Sequence, residues 1–177
     1  MSALNADSGD MDMLVVLDAR DEQRERQRIQ VKAMDFLARR EYSRQELQQR
    51  LLHRDYDYAP ELVEQVIAQL VRENLLCDER FIESFIASRQ QRGQGPVRIR
   101  AELRERGISE ALIEQWLDMR APEWLRILQE LHDKRFAGEL PATLAERARQ
   151  QRFFNYRGFS AEQIQCLFKQ DAEDYVE

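Results

Sequence analysis

The stretch RGQGPVRIRAELRERGIS, from Arg92 to Ser109, decides how this chain folds. Two glycines one residue apart, a proline and an arginine-studded run admit two readings. One is a loop that cradles a phosphate; the other is punctuation between two helices, with arginines on a wet face. A phosphate loop needs four residues between its glycines, then Lys and Ser or Thr, after a buried strand. None of these is present, and a dinucleotide fingerprint fails equally for want of a strand. The helical reading accounts for every position. Gly93 and Gly95 end a helix containing Phe81 to Arg89, and Pro96 suits a first helical position, where its missing N–H costs nothing. Ile99 and Leu103, four apart, point inward. Gly107 suits the left-handed residue that closes a helix, Ile108 packs back, and Ser109 caps the next helix. The stretch is therefore a helix start whose exposed face carries Arg98, Arg100 and Arg104.

Composition agrees with helices throughout. The chain has 177 residues, of which 43% are hydrophobic and 34% charged, with only six glycines and four prolines. Most charged and aliphatic residues are good helix formers, so an all-α fold is expected. The longest apolar cluster, Met13 to Leu17, is far shorter than a membrane span. It reads equally as a short strand or a partner contact. The first residues are acidic where a signal peptide would be basic. Cys77 and Cys166 are isolated, with no metal-ligand spacing to each other or to His53 and His132. Neither histidine has a paired nucleophile or orienting acid, so no catalytic, metal or cofactor site is expected. A reduced, cytoplasmic setting is the simplest home.

A net charge of -6 argues against nucleic-acid binding by bulk charge alone. The average hides polarity. Six arginines (Arg89, Arg92, Arg98, Arg100, Arg104, Arg106) face two glutamates between Ile86 and Arg106, while Asp171 to Glu177 is acidic. Only Lys32, Lys134 and Lys169 are lysine among 27 basic residues. Arginine's planar fork suits carboxylate and phosphate contacts, and a GC-rich coding bias yields the same excess. Arg20 to Arg28 (RDEQRERQR) fits an exposed helix as well as it fits a frayed tail.

The chain repeats itself. LLHRDY (Leu51–Tyr56), LRERGI (Leu103–Ile108) and FNYRGF (Phe154–Phe159) share an apolar residue, two intervening positions, arginine, a turn-prone residue and an apolar one. The arginines, Arg54, Arg106 and Arg157, lie 52 and 51 residues apart. An amphipathic run follows each signature, another precedes it, and a third lies upstream, giving three copies of a three-helix unit. Ser43–Glu46 and Ser160–Gln163 read as capping boxes, and Asp78 as a helix cap. Each unit is too small to bury its apolar stripe alone, so neighbours must share surface. The expected fold is all-α, an elongated array of three tandem three-helix repeats, each helix-turn-helix-like. Residues 29–76, 77–121 and 122–170 form the repeats, 1–28 a partly disordered or helical extension, and 171–177 an acidic tail.

The run from Gly93 to Ile108 matches the pattern GxGPxRIxxELxxxGI and resembles the middle repeat of the RecX family, bacterial recombination regulators that bind RecA. The resemblance extends through AMDFLARREYSRQEL (Ala33–Leu47), LLCDERFIESFIASR (Leu75–Arg89) and RFFNYRGFSAEQI (Arg152–Ile164), covering about Val31 to Phe168. Three departures stand out. Asp55 replaces the glycine expected after the arginine of the first repeat, so that turn should differ. Cys77 sits where aspartate is common, and residues before Val31 lie outside the shared core. The resemblance implies a negative regulator without catalytic chemistry. It would engage RecA filaments on single-stranded DNA along their groove, restraining ATPase activity, filament growth and strand exchange. Direct DNA contact is a weaker expectation, and the chain is expected to be monomeric. The competing reading is a helix-turn-helix-like DNA-binding regulator that acts without RecA.

Arg89, Arg92, Arg98, Arg100 and Arg104 are the first choice for a partner-binding surface, aimed at acidic patches or phosphates. Arg147, Arg149 and Arg152 form a second group. Arg106 and Arg157 recur at one turn and are expected to be structural, bonding helix-terminal carbonyls. Trp116, Trp124, Phe153 and Phe154 are expected in the core. Tyr56 and Tyr58 are expected to pack, with base stacking as the alternative.

Overall fold

The computed structural model describes the backbone from Ser8 to Glu173 and side chains from Arg20 to Lys169. The last four residues of the expected acidic tail lie outside the described residues. Every regular element described is an α-helix: α1 (Ser8–Leu37), α2 (Arg44–Leu51), α3 (Pro60–Arg72), α4 (Asp78–Gln91), α5 (Pro96–Glu105), α6 (Glu110–Trp116), α7 (Glu123–Phe136), α8 (Leu144–Arg157) and α9 (Ala161–Glu173). The backbone of Met13–Leu17 is helical, part of α1, which removes the strand reading of that cluster. The chain divides into two compact units, Met1–Asp78 and Glu79–Glu177.

The first unit packs α1, α2 and α3 around one core. Ile29, Ala33 and Phe36 supply the inward stripe of α1, Leu47 and Leu51 that of α2, and Leu62, Val63, Val66, Ile67 and Leu70 that of α3. Ser43 caps α2 by accepting from the Glu46 amide. Ala59, at the cap of α3, has no side chain to accept from the first-turn amides; its own amide donates to the Glu25 carboxylate of α1 at 2.9 Å. The Asp78 carboxylate accepts from the Arg44 amide at the start of α2. In the first signature turn the left-handed residue is Asp57, φ 49°, not Asp55. The absent glycine thus displaces the turn by two residues. Tyr56 and Tyr58 stack on each other there, centroids 5.7 Å apart, and both pack at the edge of the core.

In the second unit α4 to α9 share a single core. Phe81, Ile82 and Phe85 meet Ile99, Leu103, Ile113, Trp124, Leu128, Phe154, Ile164 and Leu167. The second and third repeats thus bury their stripes jointly, as their size requires. Trp124 donates its indole N–H to the Asp118 carbonyl. Trp116, expected in the core, is 38% exposed. It ends a helix only seven residues long, whose single fully buried residue is Ile113. His132 is buried, with Nε2 3.2 Å from the Glu139 carbonyl, which also accepts from Gln150.

The opening stretch joins the two repeats of this unit. The Gly95 amide donates to the Arg157 carbonyl at 2.8 Å, and the Val97 amide to the Gly158 carbonyl at 3.0 Å. An amide in the first turn of α5, which a bound phosphate would have to face, is therefore occupied by backbone. The approach needs two glycines. A Cβ on Gly95 would lie 2.3 Å from the Gly158 oxygen, and one on Gly158 would lie 2.2 Å from the Arg98 Cβ. Gly158, φ 93°, also closes α8 in the left-handed conformation.

Candidate basic interface of the second unit

The arginines of the opening stretch start as local helix chemistry. Pro96 at the first turn and Gly107 after the last fix the span of α5, whose inward face is Ile99 and Leu103. Arg98, Arg100 and Arg104 fall on the remaining surface. The structure gives each a carboxylate. Glu102 receives Arg98 Nε at 2.9 Å, one helical turn away, and Arg89 Nε from α4 at 2.8 Å. Arg89 is 16% exposed and lies 4.2 Å from the Phe85 ring centroid. Arg100 binds Glu110 through Nε at 2.6 Å and reaches Glu114 at 3.4 Å. Arg104 binds the other Glu110 oxygen. The cluster is thus a ladder of ion pairs bracing α4, α5 and α6.

These pairs shift the carboxylates. Burial alone would raise the Glu102 carboxyl, but hydrogen bonds from Arg98 and Arg89 prevail and hold it below the ordinary glutamate range. The Glu110 carboxyl is lowered as well, chiefly by its hydrogen bond from Arg104. In return Arg98 and Arg104 are held more firmly protonated. Arg106 and Arg157 take the structural part expected of them. Arg106 donates to the Glu102 carbonyl at 2.6 Å and lies 4.8 Å from the Phe85 centroid. Arg157 donates to the Arg92 carbonyl at 3.3 Å. Arg92 itself is exposed, just beyond α4.

The second basic group differs. Thr143 and Glu146 form a full capping box that starts α8. Phe154 is the buried anchor of that helix, with Phe153 half-buried beside it. That choice of inward face turns Arg149, Arg152 and Tyr156 to solvent at a spacing of three and four residues. Among the described residues no carboxylate pairs with Arg149 or Arg152. Arg147 is exposed and places its guanidinium 5.3 Å from the Phe168 centroid. Tyr156, which the sequence reading passed over, is 76% exposed, and the Arg98 guanidinium sits 5.6 Å from its ring centroid. The signal was available. Gln150 and Phe154, four apart, mark the buried stripe of α8, and at about 100° per residue a position two beyond Phe154 falls on the opposite side.

Seven of the eight expected partner-binding arginines thus stand on α4, α5 or α8, with Arg92 in the turn between α4 and α5. All eight belong to the second unit. Arg89, Arg98, Arg100 and Arg104 are engaged with carboxylates, whereas Arg149 and Arg152 present their charge outward. Among the described residues no group of three or more His, Cys, Asp or Glu could hold a metal ion. None of the described helices is long and apolar enough to cross a membrane.

The fold defines a tandem three-helix-repeat protein, whose second unit exposes Arg149 and Arg152 on α8. The family models for the first, second and third three-helix domains of RecX match residues 31–70, 78–117 and 122–168. The chain belongs to the RecX family of regulatory proteins. It is 46% identical over 132 residues to the regulatory protein RecX of Pseudomonas syringae pathovar tomato, covering 75% of this chain and 84% of that one. To the RecX of Halorhodospira halophila it is 41% identical over 142 residues, covering 80% and 87%. The crystal structure of RecX from Lactobacillus salivarius superposes with a TM-score of 0.71 at 17% identity, over 85% of this chain and 99% of that one, a likeness of fold.

Proposed function

We propose that this protein is a negative regulator of RecA that acts by binding, without catalysis of its own, in the cytoplasm. Its target is RecA assembled on single-stranded DNA. By lying along the filament groove it restrains ATP hydrolysis, filament growth and strand exchange. Family membership supports RecA as the partner, and the observation that carries the choice of surface is the outward charge of Arg149 and Arg152 on α8. Arginine forks without internal partners remain available to acidic side chains or phosphates. Arg92 and Arg147 are further candidates beside it, Arg147 on another side of α8 against Phe168. Arg98, Arg100 and Arg104 contribute through their outer edges, and Arg89 by bracing Glu102. Two compact units on one chain allow two modest contacts with neighbouring protomers. Such contacts reinforce each other through effective concentration, which favours filament over free RecA.

Co-pelleting with RecA on single-stranded DNA tests this reading. The protein is expected to pellet with filaments and to remain in solution with DNA-free RecA. Arg149→Glu with Arg152→Glu should weaken retention roughly tenfold or more, the scale of losing charge-assisted contacts, while the helical circular dichroism is unchanged. Equal retention of the double variant would remove α8 from the interface. Reversal of Arg98 is a poorer probe, because a glutamate there would face Glu102 and disturb the fold.

A further inference from the structure

The solvent face of α8 has a chemistry of its own. Ala145, Ala148, Arg149, Arg152, Asn155 and Tyr156 share it by helical spacing, and none is acidic. All six are exposed. The two alanines leave the helix flat beside the arginines. At its far end Tyr156 offers an aromatic ring to solvent, with 76% of the residue accessible. A second element completes the patch: Arg98, on α5, brings its guanidinium over that ring at 5.6 Å. Arg98 is oriented by donating its Nε–H to the Glu102 carboxylate, and the close approach of Gly158 to Arg98 fixes the distance between the two helices.

Tyr156 thus stands exposed among guanidiniums, on a helix face without carboxylates. An acidic protein surface would engage the charges and can also pack on a tyrosine, so the strand has to be told from a protein by experiment. A nucleobase uses both, since every base has a π face and every nucleotide a phosphate. A duplex offers phosphates but keeps its base faces stacked inside. We infer that the α8 face, through Tyr156, Arg149, Arg152 and Arg98, is a single-stranded nucleic-acid contact in which a base stacks on Tyr156 and the flanking phosphates meet the arginines. This deepens the surface proposed above and rests on that choice of face, yet it is a direct contact to the strand that needs no RecA. One stacked base and about three phosphates make a weak site, in keeping with the chain's net charge of -6.

The test measures fluorescence anisotropy of a fluorescein-labelled oligothymidylate, titrated with the full chain without RecA. An abasic strand of equal length and a duplex serve as comparisons. Tyr156→Ala should weaken oligothymidylate binding about tenfold, and Tyr156→Phe should retain it. The wild-type preference for oligothymidylate over the abasic strand should vanish in Tyr156→Ala, with duplex binding unmoved. Arg152→Ala should reduce the slope of log affinity against log salt by about 0.7, one phosphate contact on a single strand. Three results would overturn the inference: no oligothymidylate binding by the wild type, equal binding of the abasic strand, or unchanged binding by Tyr156→Ala. Co-pelleting of the same variants with RecA filaments separates the two readings. Tyr156→Ala that loses filament retention but binds oligothymidylate like the wild type makes the face a protein contact and refutes the strand contact. Loss of oligothymidylate binding with RecA retention intact supports the strand contact and leaves the regulator standing.

Discussion

At Gly95 and Gly158 two backbones touch where any other residue would hold them apart. Gly95 has φ -85°, a conformation open to every residue, so its role is purely steric. The Cβ of an alanine would sit 2.3 Å from a carbonyl oxygen that already accepts the Val97 amide. Relief requires separating α5 from the turn between α8 and α9, with loss of both backbone hydrogen bonds. Gly95→Ala is therefore expected to cost about 3 kcal/mol, the upper part of the usual overpacking range. Urea unfolding followed by tryptophan fluorescence measures it, because Trp116 and Trp124 both lie in the second unit. A loss below about 0.5 kcal/mol, typical of surface substitutions, would mean that the close approach is not maintained in solution.

Among the elements, α5 is held to its neighbours by charge as well as by Ile99 and Leu103. Glu102 receives α4 and α5 arginines together, and its side chain is only 15% exposed. Because its folded carboxyl is held below the ordinary range, its contribution is full above the unfolded value of about 4.3 and is lost as pH falls through the folded value. Glu102→Gln should destabilise the second unit by about 1–3 kcal/mol at neutral pH. It should also lose less stability than the wild type on acidification below about pH 4.3. Unfolding midpoints across that range check this, and parallel curves would contradict it. What the sequence disclosed about these elements follows from distance along the chain. Pro96, Gly107, Ser109 and the Ser160–Gln163 box act within one or two turns, and all stand where local chemistry puts them. The pairing of Arg100 and Arg104 with Glu110 depends on how the chain bends after Gly107, which no helical spacing encodes. The exposure of Trp116 follows from the brevity of α6. Tyr156 was legible in principle from Phe154, which lies two residues and about 200° before it on the helix.

For the whole molecule, three copies of one signature do not give three equal bodies. The first repeat closes its own core, whereas the second and third share one, tied by the Gly95 and Gly158 backbones. All eight arginines of the candidate surface stand on that shared body. On the proposed account, this body grips the filament and the first unit adds a second contact. The most direct measurement is the single-strand-dependent ATPase of RecA, titrated with the wild type and with Arg149→Glu/Arg152→Glu. Inhibition by the wild type is expected at well below one molecule per RecA, shifted to at least about tenfold higher concentration in the double variant. Inhibition by both proteins at the same concentration would contradict the α8 surface, and no inhibition by the wild type with fully active RecA would contradict the regulatory role itself.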